Sequence, residues 1–178
     1  KAVARQFFSY YLVYLQGMSN FTLSKSDLTS GVLFLQRWDA KPFVQAVSAR
    51  LSGISGKNSS LHLRENGVVI ALGYAGSFCD EYFDSKLEYE IRGVESGYAD
   101  LVLLPKSDHV RYSYIFEVKY LPKSKGSQKN VAKALTLAKE QVKRYALGEE
   151  IRNLPGLRRV ACVFVGTELK AFESSETA

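Results

Sequence analysis

GYADLVLLP (residues 97–105) and IFEVKY (residues 115–120) are the most informative stretches of this sequence. In the first, an apolar run that ends at Pro105 begins directly after Asp100. In the second, apolar and charged side chains alternate, which is typical of a half-buried β-strand. Pro105 and the polar residues 106–109 supply a turn. We therefore expect two neighbouring strands joined by a short connection.

Three chemically active side chains lie on these two predicted strands. Glu117 and Lys119 are two residues apart, so they emerge on the same face, and the turn can bring Asp100 next to them. Two carboxylates that converge beside an ammonium group can hold a hard divalent cation and steady a water molecule at a phosphate. The pattern indicates a metal-dependent nuclease. A surface salt bridge between Glu117 and Lys119 is the alternative interpretation.

The sequence around this pair predicts helices and further strands. Apolar residues at helical spacing predict helices over residues 61–78 and 129–147. Glu65 precedes Val69 by four residues and Leu72 by seven, so it faces the buried side of its helix, either as a rim residue or aimed at a cation. Strands are predicted at residues 86–94, 99–104, 112–120, 158–166 and 169–172. This order predicts an α/β (α+β) fold with a central mixed β-sheet flanked by helices.

The N-terminal residues 1–58 are predicted to form a small helical subdomain in front of a main domain over residues 59–178. Helices are expected near the start, at residues 27–38, and from Asp39 to Leu51, where Asp39 is a good N-cap and Pro42 falls in the first turn. The Gly/Ser-rich residues 52–60 mark the boundary. The first predicted helix carries a largely aromatic stripe, Phe7, Tyr10, Tyr11, Tyr14 and Leu15. Packing of these side chains in a core is the better interpretation, and stacking on nucleobases is the alternative.

The composition fits a globular protein in a reducing, cytoplasmic setting. Apolar residues make up 46% of the chain and charged residues 24%, and no run approaches the roughly 18 apolar residues that a membrane span needs. Cys79 and Cys162 form neither a disulfide framework nor metal-ligand spacing, although a single disulfide between them stays open. The sequence begins at Lys1 rather than Met, so we expect it to be part of a longer protein.

The basic charge of the chain is concentrated in one segment. Residues 121–144 contain seven basic residues and one acidic residue, so this segment alone carries the net charge of +6 of the whole chain. A basic field directly after the predicted Lys119 strand is what a polyanion-binding surface requires. A solvated helix face is the alternative interpretation.

The order of these residues resembles the PD-(D/E)XK nuclease superfamily. The resemblance rests on Asp100, on Glu117-Val118-Lys119 in the next strand, and on a preceding helix that carries Glu65. The proline of the family name is absent, because Ala99 stands in its place. The fold that the resemblance implies is a restriction-endonuclease-like core.

Gln141 and Tyr145 extend the resemblance to one branch of this superfamily. They lie four residues apart on one helix face, like the Gln-x-x-x-Tyr motif of the branch that contains bacterial recombination helicase-nucleases and phage exonucleases. That branch also has a glycine shortly before the aspartate, as Gly97 is here. Over nearly its whole length the chain resembles the C-terminal nuclease-like domain that follows an AAA-ATPase-like domain in many bacterial proteins, particularly at ESGYADLVLLP, residues 95–105.

The resemblance implies a role for each site residue. Asp100 and Glu117 would ligate Mg²⁺ or Mn²⁺ with the Val118 carbonyl, Lys119 would orient a water molecule and offset developing charge, and Glu65 would hold a water or complete the metal shell. Supporting positions are Gln141 and Tyr145, and the expected phosphate contacts are Lys123, Lys125, Lys129, Lys133, Lys143 and Arg144.

The expected partners are nucleic acid, DNA more than RNA, and an upstream AAA-ATPase-like domain, with no membrane. Two alternatives remain open. One is a catalytically silent nucleic-acid or protein binding module of the same fold, and the other is a purely structural interaction domain.

Overall fold

A five-stranded mixed sheet forms the centre of the part of the chain that the computed structural model describes, residues 35, 37–54, 64–93 and 97–176. Its strands lie side by side in chain order: β1 (Phe83–Ile91), β2 (Gly97–Pro105), β3 (Ser113–Leu121), β4 (Leu157–Val165) and β5 (Glu168–Glu176). β3 and β4 are parallel, and the other neighbouring pairs are antiparallel. The prediction of a mixed sheet is therefore confirmed. β5 extends beyond its predicted range because it pairs with β4 from Arg158 to Val165.

Three helices cover the sheet in the described residues: α1 (Lys41–Ile54), α2 (Glu65–Ser77) and α3 (Gln128–Tyr145). At the start of α1, the Asp39 side chain accepts a hydrogen bond from the Lys41 N–H at 3.0 Å, as expected for a capping residue. Ser127 caps α3 by accepting from the Asn130 N–H. Since β3 and β4 are parallel, α3 serves as the crossover between them.

The core has two parts, one on each face of the sheet. On one face, Phe43 and Val47 of α1 and Val68 and Leu72 of α2 pack with Phe116 of β3. On the other face, α3 buries its apolar stripe against the sheet with the side chains Ala138, Val142, Tyr145, Ile115, Val102 and Ala161. The fold is thus a helix–sheet–helix sandwich, in which α3 covers one face of the described sheet together with Ile151 and Leu154 of the segment that follows it.

Several predictions fall partly or wholly outside the described residues. The aromatic stripe of residues 7–15, nearly all of the helix at 27–38, residues 55–63 and the proposed boundary near residue 58 lie there, so the division into two domains stays a prediction. Cys79 and Cys162 are both buried and free, which excludes a disulfide between them. None of the helices in the described ranges is long and apolar enough to cross a membrane.

Candidate active site

The site lies where β2 and β3 separate. The two strands pair over only three positions, from Leu101↔Phe116 to Leu103↔Tyr114, whereas β3 and β4 pair along their whole length. Beyond Phe116 the edge of β3 that faces β2 has no strand partner. The half-buried Asp100 carboxylate occupies this gap and accepts the Val118 N–H at 2.7 Å. The Asp100 carboxylate thus supplies the hydrogen-bond acceptor that a neighbouring strand would otherwise offer to the Val118 N–H.

Glu65 approaches the same edge of β3 from another element. It is the first residue of α2, and its carboxylate accepts the Tyr120 N–H at 3.2 Å. Its other oxygen lies 4.0 Å from the Lys119 Nζ, and the Glu65 side chain is 41% exposed. The N-terminus of a helix favours a negative charge, which suits a carboxylate at this position. The two β3 donors at the gap are therefore both bound by acidic side chains.

Glu117 and Lys119 form a close ion pair beside this gap. Lys119 Nζ donates to Glu117 Oε1 at 2.6 Å. Glu117 is 1% exposed, and its second oxygen, Oε2, is buried and has no hydrogen-bond partner among the described residues. A buried carboxylate oxygen without a partner is costly for a fold to retain. This oxygen is therefore the strongest structural indication that the site holds something further.

Burial and repulsion by neighbouring carboxylates raise the pKa values of both inner carboxyls, Asp100 and Glu117. Burial raises the pKa of Asp100 to about 6, with additional repulsion from Glu65 and Glu88, while the Val118 N–H and Lys119 oppose the shift. Burial together with the Asp100 charge raises the pKa of Glu117 to about 7, although Lys119 opposes this shift. Burial would lower the pKa of Lys119, but Glu117 and the other carboxylates raise it. The ammonium therefore stays charged at neutral pH.

The donor set fits a hard divalent cation. Asp100 and Glu117 are acidic oxygen donors whose charges repel each other, and a cation between them would relieve that repulsion and satisfy Glu117 Oε2. Within residues 35, 37–54, 64–93 and 97–176, no three His, Cys, Asp or Glu side chains converge into a complete metal shell. Main-chain oxygens and water would have to supply the remaining ligands, as is usual for Mg²⁺.

Gln141, Tyr145 and Gly97 form a second contact group next to the site. Gln141 Nε2 donates to the Tyr145 hydroxyl at 2.8 Å. Tyr145 is buried, and its ring lies directly against Gly97 at the start of β2. A Cβ atom at position 97 would lie 2.4 Å from Tyr145 Cε1. Gly97 therefore lets α3 hold the strand that carries Asp100.

The comparison with protein families agrees with this geometry. The model of the PD-(D/E)XK nuclease superfamily matches residues 69–173, more than half of the chain. The chain belongs to the PD-(D/E)XK nuclease superfamily. The matched range includes Asp100, Glu117 and Lys119 but begins after Glu65. No curated protein and no solved structure matches the sequence.

The structure brings four predicted residues of this PD-(D/E)XK site together: Glu65, Asp100, Glu117 and Lys119. The sequence pattern missed Glu88. It is exposed on β1, and its charge raises the pKa of Asp100. Glu88 has a φ of +45° and interrupts the register of β1 with β2 opposite Asp100. No sequence signal marks a non-glycine residue that adopts this conformation.

The basic side chains that were predicted to contact phosphate are exposed and widely spaced along the PD-(D/E)XK domain. Lys123 and Lys125 lie in a 3₁₀ turn (Lys123–Lys125) directly after β3, and Lys129 and Lys133 follow on α3. Lys143 and Arg144 lie in the last turn of α3, about 21 Å from Lys129 at the usual helical rise. Lys139, also on α3, is held by Glu173 at 2.6 Å. The run is therefore too extended to form a single pocket.

Gly97→Ala is expected to destabilise the domain, because the new methyl group would overlap the Tyr145 ring. Overpacking of this kind costs about 1–3 kcal/mol of the free energy of unfolding. Urea denaturation measures the change. Gly53→Ala is the matched control, since a Cβ there meets nothing within 4 Å and alanine is favoured in a helix. Equal stability of the two variants would contradict the close packing of Gly97 on Tyr145.

The raised carboxyl pKa values predict how the metal-free chain depends on pH. Folding raises the pKa of Asp100 from 3.8 to about 6 and that of Glu117 from 4.5 to about 7, so the folded chain binds more protons across this interval. The free energy of unfolding should therefore fall as pH rises through it. Urea denaturation at about pH 5 and about pH 8, in EDTA, tests the sign. Glu117→Gln should flatten the dependence, and a stability that rises with pH would refute the prediction.

Proposed function

We propose that this chain is a divalent-cation-dependent nuclease that hydrolyses phosphodiester bonds in DNA. The observation that carries the proposal is the buried, unpartnered Oε2 of Glu117 beside Asp100 and Lys119. Membership of the PD-(D/E)XK superfamily supports hydrolysis of nucleic acid. DNA is favoured over RNA by the Gln141 and Tyr145 motif, which resembles that of exonucleases and recombination nucleases.

Asp100 and Glu117 would hold the cation, Mg²⁺ or Mn²⁺, together with the Val118 carbonyl. In a strand, the N–H and C=O of one residue point to the same side, so the Val118 carbonyl faces the gap where its N–H meets Asp100. Glu65 already binds the Tyr120 N–H, so its proposed role is to hold a water molecule at the cation. The bound cation would neutralise the phosphate and lower the pKa of a water molecule.

Lys119 is the residue that acts on the reacting group. Its ammonium is anchored by Glu117 at 2.6 Å and is half-buried, so it is held in one orientation beside the carboxylates. From there it would orient the attacking water and offset the negative charge that develops on the phosphate. Because its pKa is raised, it does not act as the base. Gln141 and Tyr145 keep β2 in place through Gly97.

The test is incubation of the purified chain with linear DNA, circular DNA and single-stranded RNA, in Mg²⁺, in Mn²⁺ and in EDTA. Metal-dependent cleavage is the expected result, and the contrast between linear and circular DNA separates cleavage from ends and internal cleavage. If a longer protein carries an AAA-ATPase-like domain upstream, that protein should be assayed in parallel with ATP. No cleavage in either form would overturn the proposal.

A nucleic-acid binding module without turnover is the second candidate, and the exposed cations after β3 favour it. In both candidates, Lys129 and Lys143 bind phosphates. Replacing either residue with alanine should lower the slope of log binding constant against log salt by about 1. Lys86→Ala is the control, since Lys86 on β1 is paired with Asp84 and should leave the slope unchanged. An unchanged slope in the α3 variants would exclude these contacts.

A further inference from the structure

Tyr98 is an exposed aromatic residue on the strand that carries Asp100. It lies on β2 two residues before Asp100 and is 60% exposed. No hydrogen bond or ring contact holds its side chain within the described residues. Trp38, which is similarly exposed, stacks on Tyr112 at 5.9 Å and lies under the Arg158 guanidinium. Trp38 thus has a packing partner, whereas Tyr98 presents a bare ring next to the carboxylates.

The local twist of β2 determines which side of the site this ring faces. Ala99 packs on the α3 face of the sheet, whereas Leu101 packs on the face of α1 and α2. The strand therefore rotates between them, and Asp100 points sideways into the gap beside β3. Since neighbouring strand residues point to opposite faces, Tyr98 faces away from α3. It therefore stands on the same side of the sheet as α2, which carries Glu65.

Charge separates this side of the site from the cationic side. β1 runs beside Tyr98 and carries the exposed Glu88 and Glu90, and Glu90 is the register partner of Tyr98. Arg92 offsets Glu90 only partly, at 3.7 Å with both side chains exposed. On the other side of the site, the exposed Lys123 and Lys125 lie in the turn directly after β3. A phosphate backbone therefore favours the lysine side, and an uncharged nucleobase favours the side of Tyr98.

We propose that Tyr98 stacks on the nucleobase next to the scissile phosphate and so makes the site select unpaired DNA, either single-stranded or frayed at an end. This inference rests on the proposed function. Inside a duplex, both faces of a base are covered by its neighbours, so the ring can reach a base face only where the stack is open. Tyrosine stacks on any base, and the contact therefore selects strand state rather than sequence.

The test is a binding titration in EDTA, where hydrolysis does not occur, with a single-stranded oligonucleotide that carries 2-aminopurine. Stacking on Tyr98 should quench the probe. Tyr98→Phe should preserve the quench, Tyr98→Ala should abolish it and weaken binding about ten- to hundredfold, and Leu147→Ala, an exposed apolar residue, should match the unaltered chain. Equal quench and affinity in Tyr98→Ala would overturn the inference, as would equally tight binding of the probe inside a blunt duplex.

Cleavage in Mg²⁺ is measured separately with the same variants. Tyr98→Ala should lower kcat/KM for single strands more than for duplexes, and Tyr98→Phe should restore it. A chain that does not cleave but shows Tyr98-dependent quenching would overturn the hydrolytic function and support the stacking contact. A chain that cleaves with the same strand preference in Tyr98→Ala would overturn the stacking contact alone.

Discussion

Asp100→Asn is expected to lower metal-dependent cleavage by at least about a hundredfold, comparable to the loss of one electrostatic contact in a catalytic site. The amide oxygen of asparagine still accepts the Val118 N–H, so the gap between β2 and β3 stays filled. The negative charge is lost, however, and with it one of the two proposed cation ligands. Initial rates of DNA cleavage over a series of Mg²⁺ concentrations measure the effect.

The stability of this variant separates a chemical effect from a structural one. Removing the Asp100 charge relieves its repulsion of Glu117, so the metal-free variant should be at least as stable as the unaltered chain near neutral pH. Asp84→Asn is a suitable control, because Asp84 is a half-exposed carboxylate on β1 paired with Lys86. Unchanged cleavage in Asp100→Asn would remove Asp100 from the reaction.

Lys119→Ala is expected to abolish cleavage and to destabilise the chain. The Glu117 carboxylate would lose its partner at 2.6 Å while remaining buried, and breaking a buried ion pair costs about 3–5 kcal/mol. Part of this cost is avoided if Glu117 takes up a proton, since its pKa should rise above 7 without Lys119. The loss of stability should therefore be greater at alkaline pH than at acidic pH. Urea denaturation across pH measures this difference.

The double variant Glu117→Gln with Lys119→Ala distinguishes the two effects. It removes the unpaired buried charge, so stability should recover, but it lacks both the cation ligand and the ammonium, so cleavage should not. Comparing the stability of the double variant with that of the two single variants gives the interaction energy between Glu117 and Lys119. Recovery of cleavage in the double variant would show that neither Glu117 nor Lys119 takes part in the reaction.

The sequence predicted the elements whose patterns are local. The alternation around Glu117 and the apolar run after Asp100 gave β3 and β2, and the helical spacing of Val131 to Tyr145 gave α3, because these patterns reflect one strand or helix facing one core. The adjacency of the two strands also followed from the short turn between them. The mixed sheet followed from the order of elements.

The separation of β2 from β3 was not predictable in the same way. Nothing in the sequence near Asp100 indicates that its carboxylate replaces a strand partner for Val118, because that bond joins residues 18 positions apart across an irregular part of the sheet. The contact of Glu65 with Tyr120 joins residues 55 apart. The positive φ of Glu88 is equally unpredictable from the sequence. Tertiary packing, rather than local preference, determines these features.

The gap beside β3 is also an open strand edge. A strand edge with free N–H groups is a template on which another chain can add a strand. Here Asp100 and Glu65 occupy the Val118 and Tyr120 donors with charged groups, so an incoming strand finds neither free donors nor an apolar surface. The carboxylates proposed to handle phosphate chemistry therefore also take up the two donors on which strand addition at the open half of β3 would depend.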